Sequence, residues 1–86
     1  MVALKPLVYT AHSLTALRER ELEEVWVENT VRAPDWVELD IRDSEIERRF
    51  RAIPARQGRF LRVAVVETPH EIRIISAFLD RRARPK

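Results

Sequence analysis

"RFLRVAVVE", residues 59–67, decides the fold. On an extended chain Leu61, Val63 and Val65 fall on one side, and Phe60, Arg62, Ala64 and Val66 on the other. This alternation predicts a strand with one face for a core and a charge on the opposite face. Downstream, "EIRIISAFL" (71–79) is β-branched and apolar on both faces, which predicts a central strand. "TPH" (68–70) turns the chain between the two. Upstream, "ARQG" (55–58) is a turn carrying the chain's one glycine, Gly58, and it follows a looser strand, "IERRFRAI" (46–53). "DWVELD" (35–40) reads as a short strand, and the polar "IRDSE" (41–45) as the loop after it.

The period changes towards the start of the chain. In "AHSLTALRER" (11–20), Ala11, Leu14 and Leu17 recur at helical spacing behind Thr10, a suitable N-cap. "ELEEVWVENTVRA" (21–33) places Leu22, Val25 and Trp26 on a second stripe. Its early carboxylates, Glu21, Glu23 and Glu24, favour the positive end of a helix dipole, and Pro34 stops it. "LVY" (7–9) is a short strand or an extended lead-in. The expected fold is therefore α+β: two N-terminal helices packed on a three- to four-stranded antiparallel sheet, with residues 1–86 forming a single domain. Short links between successive strands favour a meander. Helices on one face leave the other free for a ligand.

Composition narrows the chemistry. With 86 residues the chain suffices for one domain, and it has no cysteine, hence no disulfide or thiol nucleophile. No apolar run approaches the length of a membrane span, and the first residues do not read as a cleaved leader, so the expected compartment is the cytoplasm. Net charge is only +2, but it is unevenly spread. Residues 18–47 carry four arginines against eleven carboxylates, whereas residues 48–86 carry ten arginines and one lysine against three. The basic half suits a polyanion, and arginine suits phosphate because its planar fork binds bidentately.

Among the candidate residues, His12 falls in the first helical turn, where the dipole disfavours the imidazolium and leaves a neutral base. Arg48, Arg49 and Arg51 lie on one strand. Arg62 lies in the middle of the next, inside an apolar run, so it must face solvent, pair with Glu47 or Asp80, or meet an anion. Ser76 is near it on the open face, and Arg81 and Arg82 follow the last strand. His12 and His70 lack the spacing of zinc ligands. The single glycine excludes Gly-rich phosphate loops, and no nucleophile elbow is present. No metal site and no cofactor are expected. Histidine with arginine and no metal matches cleavage of a phosphodiester by its own 2′-hydroxyl, a reaction confined to RNA.

The segment "YTAHSLTALRERELEEVWVENTVRAPDWVE" (9–38) resembles the opening of a family of small bacterial domains of unknown function. That pattern has a His-Ala start, an arginine four residues after the histidine, an Arg-Gly-Ile, and a second helix ending in a Pro-Asp type turn. "RRFRAI", "RFLRVAVVE" and "IRIISAFLDRRAR" resemble its later strands and basic end, and the last is also similar to a "RIISAR" segment of BrnT-like toxins. The family is grouped with the RelE/ParE-like toxins of toxin–antitoxin systems. The resemblance implies two helices against an antiparallel sheet and a metal-independent endoribonuclease that cleaves mRNA, with RNA or the ribosome and an antitoxin as partners. It carries over to His12, Arg20, Arg49, Arg62 and Arg81. Two positions depart from it: Ala16 stands at the expected arginine, and Glu21 at the expected glycine.

On this basis His12, Arg49, Arg62 and Arg81 are the expected catalytic residues, and Arg20, Arg48, Arg51 and Arg82 the expected RNA-binding ones. A homodimer is a further expectation. The alternatives are a non-catalytic protein-interaction module, anchored by Trp26 or Trp36 or by strand addition, and a ParE-like inhibitor of another target.

Overall fold

The computed structural model describes residues 4–85. Five strands and two helices follow in the order β1 (Leu7–Tyr9), α1 (Ala11–Glu19), α2 (Glu24–Arg32), β2 (Trp36–Leu39), β3 (Glu47–Ile53), β4 (Arg59–Glu67) and β5 (Ile72–Asp80). A single 3₁₀ turn, Pro54–Arg56, joins β3 to β4. The class is α+β, as expected, but the sheet is mixed and has five strands in the order β1-β5-β4-β3-β2. β2 to β5 form the antiparallel meander, and β1 adds to the edge of β5 in parallel. A parallel neighbour requires a long crossover. Here the intervening helices and meander supply it, so β1 cannot be inferred from any local turn. β4, rather than β5, is the central strand, since β5 is flanked by β1 only over Ile72–Ile74.

Both helices cover one face of the sheet. Leu61, Val63 and Val65 of β4 are fully buried beneath them, together with Val27, Val31, Ile53, Ile74 and Ala77. The buried stripes of the helices match the expected ones in part: Leu17 and Leu22 are buried and Trp26 packs against the core, but other members differ. In α1 the buried residues are Ser13, Ala16 and Leu17, while Leu14 is 42% exposed. In α2 they are Val27, Thr30 and Val31, while Val25 is 54% exposed. The reason is local hydrogen bonding. The Ser13 hydroxyl donates to the Thr10 carbonyl (2.8 Å) and the Thr30 hydroxyl to the Trp26 carbonyl (2.8 Å). Each small polar residue satisfies itself within its own helix and so can enter the core.

Thr10 caps α1, its hydroxyl accepting from the Ser13 amide at 3.1 Å. The α1–α2 break is built on Glu21, whose φ of 55° is left-handed. That conformation suits glycine, and Glu21 is the position where the resembled pattern carries one. Gln57 (φ 62°) and Gly58 (φ 74°) turn β3 into β4 in the same region of backbone space.

Candidate phosphate-binding site

The sheet separates the arginines that sequence reasoning grouped together. Arg49 and Arg51 point to the helix side. The Arg49 guanidinium is 11% exposed and donates to the Val31 carbonyl (2.9 Å), to Glu47 (2.7 Å) and to Glu67 (2.6 Å). Burial pulls its pKa down, but the hydrogen bonds to Glu67 and Glu47 outweigh that, and the net shift is upward. Arg51 donates to the Ala33 carbonyl. Together they satisfy carbonyls at the end of α2, where helix groups lack internal partners.

Arg48 and Arg62 occupy the opposite, open face. Arg48 pairs with Asp40 (3.0 Å) and Arg62 with Asp80 (3.3 Å). Arg49 and Arg62 therefore lie on opposite sides of the sheet. The His12 imidazole is exposed in the first turn of α1 and makes no hydrogen bond among the described residues. Arg82 is exposed in the turn after β5.

Arg20 and Arg81 are brought together. With Arg56 and Arg59 they line a cavity of about 310 Å³, completed by Leu22, Phe78 and Leu79. Three chain turns meet there: the α1–α2 break, the β3–β4 turn and the exit of β5. Among the described residues none of the four arginines has a carboxylate partner. Arg20 donates to the Ala77 carbonyl (3.3 Å) and Arg56 to the Glu21 carbonyl (3.3 Å). The Arg56 guanidinium also lies 5.9 Å from the Trp26 ring centroid. Four uncompensated guanidiniums around one opening form a strong attraction for an anion, and their forks match phosphate oxygens. Sequence reasoning missed Arg56 and Arg59. The signal was their position on either side of the Gln57–Gly58 turn, which folds both to one end of the sheet.

Three other clefts among the described residues lack this character. One of about 420 Å³ holds Arg51 and Asp35, both already engaged with backbone groups. One of about 340 Å³ is acidic, with Glu24 and Glu28 beside Tyr9. Burial, and then those two carboxylates, raise the Tyr9 pKa, so its phenol stays protonated. One of about 280 Å³ holds Lys5, Arg49 and Glu67 in mutual ion pairs. Among the described residues no group of three or more His, Cys, Asp or Glu is arranged to hold a metal ion. Nor is any described helix long and apolar enough to cross a membrane.

Residues 9–79 match the family described as "Domain of unknown function (DUF4258)". The chain belongs to that family. No curated protein and no solved structure matches it. The DUF4258 match spans both helices and nearly the whole meander. It includes Arg20, Arg56, Arg59 and Phe78 of the cavity and stops short of Arg81.

Proposed function

We propose that this DUF4258 chain is a toxin-like, metal-independent endoribonuclease that takes an RNA strand at the four-arginine cavity and is held in check by an antitoxin. The observation that carries the reading is the cavity itself, in which Arg20, Arg56, Arg59 and Arg81 have no carboxylate partner among the described residues. In the reaction, a ribose 2′-oxygen loses its proton and bonds to the adjacent phosphorus. The bond from phosphorus to the 5′-oxygen breaks, and that oxygen takes up a proton. The charge that develops on the phosphoryl oxygens is what preorganised guanidiniums stabilise. His12 is assigned the proton transfer. It stands in the first turn of α1, with Arg20 at the C-cap of the same helix, about 12 Å away along the axis.

The test is induced expression in a bacterial host, scoring growth and mRNA integrity, with purified protein and RNA in chelator alongside. Wild type should arrest growth and cleave RNA, whereas Arg59→Ala/Arg81→Ala should be folded and inert. Normal growth with intact mRNA in the presence of abundant folded wild type would refute the reading.

A second reading, a protein-interaction module, draws on the sheet edge. Among the described residues β2 has no outer neighbour, and Val37 and Leu39 on it and Ile41 just beyond it are 44%, 59% and 90% exposed. Such an edge accepts an added strand. In the toxin reading it is where the antitoxin docks.

A further inference from the structure

The face of the sheet left open by the helices carries a row of side chains in cross-strand register. Trp36, Phe50, Arg62 and Phe78 are successive partners across β2, β3, β4 and β5. Trp36 stacks on Phe50 with centroids 4.6 Å apart and an interplanar angle of 6°. Phe60, one row along, meets Trp36 edge-on at 5.0 Å. The Arg62 guanidinium lies 5.0 Å from the Phe78 ring centroid. Trp36, Phe60 and Phe78 remain partly exposed, while Phe50 is buried beneath its neighbours. On the other side of this row the floor is low, with Ala64 facing Ser76.

Charge divides this face from the corner beside it. The open-face arginines are neutralised, Arg62 by Asp80 and Arg48 by Asp40. A neutral aromatic surface is poor for phosphates and good for the flat faces of bases. The cavity at the adjoining corner has four arginines without carboxylate partners among the described residues; Leu22 and Leu79 line it from the helix side, and Phe78, on the stretch of β5 that β1 does not cover, is common to it and the open face. Phosphate and base of one nucleotide thus have separate neighbouring places.

We propose that the open sheet face is a base-stacking platform for single-stranded RNA: Phe78 takes the base next to the phosphate held by the arginines, and Phe60 takes the following base. The proposal rests on the RNA reading above and adds the substrate class, an unpaired strand. A duplex is excluded because its bases are stacked on one another and cannot lie on the sheet.

The experiment compares two fluorescently labelled probes by anisotropy, decauridylate and an abasic ribose-phosphate chain of the same length. Wild type should bind decauridylate about tenfold more tightly than the abasic chain, the scale of stacking one base on an aromatic ring. Phe60→Leu, which lies outside the cavity, should lose part of that margin and leave abasic binding unchanged, and Phe78→Leu should lose more of it. Arg59→Ala should weaken both probes equally. The wild-type comparison needs no variant, so a misfolded Phe78→Leu does not remove the test. Equal wild-type affinity for both probes would overturn the platform while leaving the arginine cavity as the RNA site. Failure to bind either probe would overturn the RNA reading and the platform with it, and would leave a protein partner as the occupant of this face.

Discussion

Arg49→Ala should destabilise the fold severely, whereas Arg59→Ala should leave it intact. Arg49 is 11% exposed and has three acceptors, the Val31 carbonyl, Glu47 and Glu67. Truncation leaves a carbonyl at the end of α2 without its donor and Glu47 without its cation, while Glu67 keeps Lys5. Each charged hydrogen bond contributes about 1.5–3 kcal/mol net. Glu47 and Glu67 are 37% and 38% exposed, so water takes over much of their share. The sum is about 2–3 kcal/mol. For a domain of this size that lowers the melting temperature by about 10–20 °C. Arg59 is exposed and has no ion pair among the described residues, and its loss should cost less than about 0.5 kcal/mol. Thermal and urea unfolding followed by circular dichroism measure both. An Arg49→Ala protein melting within a few degrees of wild type would refute the division of the arginines into structural and ligand-facing sets.

Three further outcomes follow from particular contacts. Glu21→Gly should raise stability by about 0.5–1 kcal/mol, because glycine adopts the left-handed φ of 55° without a side-chain clash; urea midpoints check it. Leu61→Ala should cost about 2–5 kcal/mol, since Leu61 is fully buried on the central strand; the same unfolding curves decide it. Stability should fall in acid: the Arg42 amide and the Arg48 side chain hold the Asp40 carboxyl below its ordinary value, and Lys5 and then Arg49 do the same for Glu67. A depressed carboxyl stabilises the fold above its unfolded pKa, near pH 4, and loses that contribution as pH drops through the folded value. Asp40→Asn/Glu67→Gln should therefore flatten the pH dependence of the urea midpoint below about pH 4.

Strands were legible where period-two alternation met turn residues. β4 carries that pattern without interruption, and both of its faces were assigned correctly from the sequence. The parallel partner of β5 was not legible, because three residues before a helix carry no information about a pairing made 65 positions later. Of the helix stripes Leu17, Leu22 and Trp26 were legible, whereas Ser13 and Thr30 were not, because they look polar in sequence but are self-satisfied in the fold. The site was half legible. A basic second half pointed to an anion, and Arg20 and Arg81 do meet. Which other arginines join them depends on strand register: adjacent Arg48 and Arg49 emerge on opposite faces, while Arg56 and Arg59 reach the cavity from a turn.

The most direct measurement is the salt dependence of single-stranded RNA binding by wild type and by Arg59→Ala/Arg81→Ala. Each phosphate neutralised on a single strand contributes about −0.7 to the slope of log affinity against log salt. Four arginines acting on phosphates should give a slope of about −3, and the double variant about half that, with its melting temperature unchanged. Equal slopes for the two folded proteins, or no RNA binding by wild type, would contradict the assignment of this cavity to phosphate.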